Sequence, residues 1–264
     1  MKKRTILIGA IVLAVATAAV VGCKKENTEV SNSTNLSEDR VSLQVAKIHN
    51  DFLSQIVKDF DYSTLGKSDA YEELHRCMRN LPCDQRVVDS IVFDFYENHY
   101  DVMDAASYYG MWKTSLNSSV LESDYCNKNL LVSYIDQTRS FLSNDELNYE
   151  SLSDSISMVL VSAETRLSAD EMQVLLAYTD VLKQSAYFWL PTEYGGSGEG
   201  TNLFNGKGKV PKWVQHGILA DAESAAFAFC FGWWAMTNPA GLIAAGVGSV
   251  AASAYTSIKV ANEK

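Results

Sequence analysis

Between Ser224 and Ile258 the chain carries no Asp, Glu, Lys, Arg or His. A segment this long without charge belongs either in the centre of a folded domain or at a membrane. Asp221 and Glu223 bound it on one side and Lys259 on the other, and Asn238-Pro239 interrupts it near the middle. The first arm is aromatic, with Phe227, Phe229, Phe231, Trp233 and Trp234. The second arm is small. Ala240, Ala244, Gly248 and Ala252 share one helical face, and Gly241, Ala245, Ser249 and Ser253 line its neighbour. Small residues at every fourth position let two helices approach closely, and Pro239 suits the first turn of a second helix. The expectation is an apolar helical hairpin over 218–258, packed through Gly241, Ala244, Gly248 and Ala252, with a polar tail over 259–264. Ala, Gly, Ser and Thr gain little on transfer to lipid, so neither arm makes a convincing spanning helix, and the first arm is too short to cross a bilayer alone. Burial in the core is the favoured placement. A Leu at Gly248 or Ala244 should then overpack the hairpin, at a cost of about 1–3 kcal/mol.

Upstream, apolar residues recur at helical spacing. Val41, Val45, Ile48, Phe52, Ile56 and Phe60 form one stripe, with Ser37 as its N-cap. Val88, Ile91, Phe95, Val102 and Ala106 mark a further helix, and Leu131, Ile135, Thr138 and Leu142 another. Leu152, Ile156, Val159 and Ala163 follow a start at Asn144-Asp145-Glu146. Ser168-Ala169-Asp170-Glu171 has the form of a capping box and leads into Met172, Leu175, Thr179, Leu182 and Ala186, a stripe that ends before Pro191. No long stretch alternates with period two. Only four prolines are present, and one stretch alone is dense in glycine. The fold class expected is all-α, a helical bundle over 38–190 joined to the apolar hairpin.

The amino terminus has a different logic. Met1-Lys2-Lys3-Arg4 is basic, Thr5 to Val21 is uncharged, Gly22-Cys23 closes the run, and Lys24-Lys25-Glu26 opens a polar stretch. A basic start, an apolar run of this length and a small residue at the cut are marks of an export signal. Val20-Val21-Gly22-Cys23 resembles the lipobox of bacterial lipoproteins. That resemblance implies a signal peptide over 1–22, cleavage before Cys23, thioether lipidation of Cys23 and acylation of the new amino terminus. The partner it implies is a lipid bilayer, held through acyl chains that each contribute roughly 0.8 kcal/mol per buried CH₂. Residues 23–37 are polar and aperiodic, a flexible tether with a root-mean-square reach of roughly 20 Å. Lys24, Lys25 and Glu26 loosely resemble surface-export signals of some Gram-negative lipoproteins, which points to the cell envelope and to the outer membrane over the inner.

The tail also carries a resemblance. Its small-residue stripes are similar to the glycine-zipper hairpins of bacteriocin-like and other membrane-active peptides, and to Gly/Ala-rich tails of some exported bacterial proteins. The first implies a membrane-active or pore-forming effector. Against it stand the large helical region upstream, the lack of a cationic start to the hairpin and the lack of a double-glycine leader.

Charge narrows the partners. The formal net charge of the whole chain is -10. Loss of Lys2, Lys3 and Arg4 with the signal takes it to about -13. An acidic surface repels phosphate backbones, so no nucleic-acid partner is expected. It also gives no attraction to anionic headgroups. A protein or a glycan is the partner class that remains. Beyond Cys23 the cysteines are Cys77, Cys83, Cys126 and Cys230. An exported chain is in a disulfide-permissive place. Asn80-Leu81-Pro82 can stop a helix and fold the chain back, which makes a Cys77–Cys83 bridge a candidate. Cys230, in an apolar run, reads as a small buried hydrophobe.

Residues 191–217 form a Gly-rich aromatic connector: Tyr194-Gly195-Gly196-Ser197-Gly198-Glu199-Gly200, then Asn205-Gly206-Lys207-Gly208-Lys209 and Pro211-Lys212-Trp213. Its glycines match neither a dinucleotide fingerprint nor a phosphate loop. Two readings of it stand, a mobile connector and a binding loop in which Tyr194, Phe204 and Trp213 stack on a sugar or peptide. Catalytic patterns are poor. Glu72-Glu73-Leu74-His75 holds one Glu-x-x-His, and a di-iron site needs two. His75, Cys77 and Cys83 fall short of the four ligands of structural zinc. No catalytic residue, metal or cofactor is therefore assigned. The sequence points to an envelope-anchored, mostly helical interaction module, with an enzyme built from residues distant in sequence as a lesser alternative.

Overall fold

A computed structural model describes residues 40–64, 69–86, 88–89, 128–142, 147–200, 212–232, 246–251 and 254, with backbone alone for 128, 212–213 and 227–232. Among these residues every regular element is helical, and the fold class is all-α. The helices are α1 (Val41–Asp59), α2 (Ala70–Arg79), α3 (Lys128–Phe141), α4 (Tyr149–Glu164), α5 (Ala169–Trp189) and α6 (Lys212–Gly232). Residues 246–251 are also helical. The lipobox with Cys23, the tether, Ser37, Cys126 and the stripe from Ile91 to Ala106 lie outside the described residues, as does the side chain of Cys230. So do Phe204, Gly241, Ala244, Ala252 and the polar tail.

The centre of the molecule is α5. It is buried nearly all round, from Met172 through Leu175, Ala177, Tyr178, Val181 and Leu182 to Trp189, which is what an interior helix requires. Helices α1, α3, α4 and α6 pack around it, while α2 rests on α1. The sequence stripes become its contacts. Val45, Phe52 and Ile56 of α1, Leu131, Ile135 and Thr138 of α3, and Leu152, Ile156, Val159 and Ala163 of α4 are all buried.

Helix starts follow capping chemistry. Ser168 caps α5 through a full capping box: its hydroxyl accepts from Glu171 N, and Glu171 Oε2 accepts from Ser168 N at 2.8 Å. Two starts differ from the sequence expectation. Helix α4 begins at Tyr149, not near Asn144. Asn148 supplies the cap, its Oδ1 accepting from Glu150 N at 2.9 Å and Ser151 N at 3.4 Å. Helix α1 begins at Val41, with Arg40 in the capping position and no side-chain cap; the Arg40 side chain is committed elsewhere, as described below.

The connector expected over 191–217 is structured at both ends. Helix α6 begins at Lys212, because the apolar spacing already starts at Val214 and continues through Ile218 and Ala222, all buried. At the other end the chain folds back over the last turn of α5. Ser197 N donates to Tyr187 O at 2.7 Å, and Gly198 N to Leu190 O at 3.1 Å. Gly195 turns with φ 81°, in the left-handed region that favours glycine. A Cβ on Gly196 would stand 2.0 Å from Leu190 O, and one on Gly200 would stand 2.2 Å from Trp189 Cε3. Glycine here serves close approach of backbone to α5 rather than freedom of a linker.

The second arm of the expected hairpin is described only over 246–251 and at 254. Val247, Val250 and Ala251 are in the core, and Ser249 Oγ donates to Asp221 O of α6 at 2.7 Å. The close-approach glycine is Gly246, where a Cβ would meet Ile48 Cγ2 of α1 at 2.5 Å. Gly248, expected with Ala244 to be a tight position, meets none of the described residues: a Cβ there has nothing of them within 4 Å. The small-residue register fixes which residues share a face but not which face meets the neighbour. Among the described residues no helix is long and apolar enough to cross a membrane.

Candidate functional site

A helix buried on every side must find partners for its polar side chains. Those partners around α5 make a polar seam through the apolar core. At its first station, Asp180 of α5 takes Arg40 and Ser42. Arg40 grips the carboxylate with both Nε, at 2.8 Å, and Nη2, and Ser42 Oγ donates to Oδ2 at 2.6 Å. Burial lifts the Asp180 carboxyl above its ordinary range, and Arg40 and Ser42 offset that only in part. The grip ties the start of α1 to the middle of α5.

The second station is Asp221 of α6, where four elements meet. Ser185 of α5 donates to Asp221 Oδ2 at 2.5 Å, and His49 Nε2 of α1 stands 3.0 Å from Oδ1. Ser249 occupies the backbone carbonyl of the same residue. His49, Ser185 and Asp221 are fully buried. Asn50 Nδ2 donates to Gln184 O at 2.9 Å, which orients the amide so that Asn50 Oδ1 faces His49 Nδ1 at 3.0 Å. An amide oxygen can only accept, so Nδ1 carries the proton. His49 Nε2 and Asp221 Oδ1 approach out of line and form no hydrogen bond.

Serine, histidine and aspartate together invite comparison with a hydrolytic triad, and the wiring differs. In a triad the serine hydroxyl gives its proton to the imidazole, and the aspartate orients the imidazole from behind. Here the serine donates to the aspartate, and the imidazole meets the other oxygen of that carboxylate. With every member fully buried, the arrangement does the work of a clasp, joining α1, α5, α6 and residues 246–251.

The third station is Glu223, two residues along α6. Its carboxyl is fully buried, and Arg139 Nη1 of α3 is 3.6 Å from Oε1, too far for a hydrogen bond. Burial pushes the carboxyl up to about 8; Arg139 lowers it and Asp136 raises it. Tyr178 of α5 is also fully buried, and burial, then Glu223, hold its phenol well above the ordinary range.

The residues singled out by sequence are not brought together by this seam. Tyr194 sits half-buried in a short 3-10 turn, Thr192–Tyr194, at the end of α5. The side chains of Phe204 and Trp213 are outside the described residues, so the stacking trio is not assembled among them. The candidate Cys77–Cys83 bridge is not formed, and both thiols are free. Cys77 lies on the buried face of α2, its Sγ 3.4 Å from Arg76 Nη2 and 3.8 Å from Glu73 Oε1. Burial pushes the Cys77 thiol up to about 11, the behaviour of an inert core cysteine. His75 is on the same helix, and the described residues contain no cluster of three or more His, Cys, Asp or Glu able to hold a metal. His49, Asp221 and Glu223, the groups that are arranged, carry no motif. The one sequence signal for the two acids was their place at the edge of the uncharged run.

No protein-family model, curated protein or solved structure matches this chain.

Proposed function

We propose that this chain is an envelope lipoprotein, tethered by acyl chains on Cys23, whose all-α domain works by binding a protein or glycan rather than by chemistry. The observation that carries the reading is the amino-terminal pattern: Met1-Lys2-Lys3-Arg4, the uncharged run Thr5 to Val21, and Val20-Val21-Gly22-Cys23. An export signal ending in this tetrapeptide gives the cysteine a lipid and the mature chain a membrane address. The seam supports the second half of the reading. In it His49, Ser185 and Asp221 are fully buried and meet one another across three helices, so they serve cohesion between helices. The described parts of the C-terminal arms weigh against a membrane-seeking hairpin, because 214–226 and 246–251 contribute to the core.

The test is Cys23→Ser expressed in a bacterial host with acyl labelling. The wild type should label and sediment with membranes, and the variant should do neither. Labelling that persists in the variant overturns the anchor. For the binding half, the tethered protein should be screened on glycan arrays and by crosslinking in intact cells. Turnover of a substrate by the purified chain would replace the binding reading with an enzymatic one.

A further inference from the structure

Glu223 stands out among the buried groups. Neither carboxyl oxygen makes a hydrogen bond among the described residues. From α3, Arg139 and Asp136 bear on it, and from α5, Tyr178. His49 of α1 faces Asp221 instead, about 200° around α6 from Glu223. Arg139 retains 23% exposure of its side chain and so a path to water. An ionised carboxylate this close to a guanidinium normally closes to about 2.8 Å in a charge-assisted pair. At 3.6 Å the guanidinium leaves both oxygens unbonded, so a charge on this carboxyl would be buried without a hydrogen bond. A buried carboxyl without bonds is tolerated far better uncharged than charged.

We propose that Glu223 is a proton-operated latch: as the neutral acid it lets α6 seat against α3 and α5, and its ionisation loosens α6 from that seat. The direction with pH follows from linkage. Burial holds the folded carboxyl's proton up to about 8, while the exposed group releases its proton near 4.5. Between these values the folded state binds more protons than the unfolded state, so stability falls as pH rises through the window and levels off above it. At neutral pH the latch is closed, and mild alkalinity opens it. Ala222, Ala225 and Ala226 beside Glu223 are buried, so the loosened state offers apolar surface.

The experiment is thermal unfolding of the full-length protein in detergent from mildly acidic to mildly alkaline pH, with binding of a hydrophobic dye in parallel. The wild type should lose several degrees of melting temperature as pH rises from about 4.5 to about 8, level off above that, and take up more dye at the alkaline end. Glu223→Gln keeps the shape of the neutral acid and should remove both changes. A wild type without the fall, or a variant with the same fall, overturns the latch. A ¹³C titration of the Glu223 side chain in the wild type decides independently of how the variant folds. A midpoint near 8 supports the latch, and one in the ordinary range of about 4 to 5 overturns it.

Discussion

Gly246 and Gly248 lie two positions apart in one short helical stretch, and the neighbouring chain treats them oppositely. A Cβ on Gly246 would press on Ile48 Cγ2 at 2.5 Å and on Ile48 Cβ at 3.3 Å. Both atoms belong to a β-branched side chain held close to α1, and such a side chain has little rotamer freedom to give way. Gly246→Ala should therefore cost about 1–3 kcal/mol through overpacking. Gly248→Ala meets nothing within 4 Å among the described residues and should be neutral or stabilising by up to about 1 kcal/mol, since alanine is the better helix former. Chemical denaturation of the two variants checks the contrast. Equal stability would mean the approach at Ile48 is relaxed in solution. The seam shows the same limit on sequence reading. His49, Ser185 and Asp221 come from three helices far apart in the chain, and no local spacing announces that they meet. Asp221 and Glu223 read from sequence as the polar border of the apolar run. They are instead fully buried, because α6 starts at Lys212 and carries its border into the core.

At the scale of elements, periodicity was legible wherever one stripe served one interface. Leu131, Ile135, Thr138 and Leu142 of the α3 region were visible in this way, as were Leu152, Ile156, Val159 and Ala163 of α4, and all are buried. The stripe on α5 was visible as well, but not that the opposite face, with Val174, Tyr178 and Val181, is equally buried. A polar residue such as Asp180 hides that fact in a sequence, since its partner Arg40 lies on another helix. Helix ends were legible where the cap was local. The α5 capping box was read from Ser168 and Glu171 alone, whereas the α4 start was placed too early because Asn144 and Asn148 are both plausible caps. Ser168→Ala should remove one bond to Glu171 N and leave Glu171 Oε2 without its hydroxyl donor, at a cost of about 1 kcal/mol. For a domain of this size that is a fall of roughly 2–4 °C in Tm. An unchanged melting curve would show that burial of α5, not its cap, sets the start of the helix.

For the whole molecule, the decisive question is whether the uncharged C-terminal region is part of the fold or an appendage to it. Helix α6 is the principal partner of α5, and residues 246–251 bridge α6 and α1 through Ser249 and Gly246. Deleting Ser224 to Ile258 removes Ala225, Ala226, Val247, Val250 and Ala251 from the core. It also cuts α6 just past Glu223 and strips the Ser249 bond from the Asp221 carbonyl. The faces of α1 and α5 that these groups cover would be opened to water, at roughly 25 cal/mol for each Å² of apolar surface exposed. Folded domains hold a margin of only about 5–15 kcal/mol, and loss of half of one interface of the central helix is of that order. The truncated chain should retain helical signal in circular dichroism but lose its cooperative melt. A separate appendage would be shed without effect on the bundle. A truncated protein that melts sharply near the wild-type temperature would therefore show that α5 is held by α1, α3 and α4 alone, and it would return the C-terminal region to the membrane-seeking role that its glycine-zipper resemblance implies.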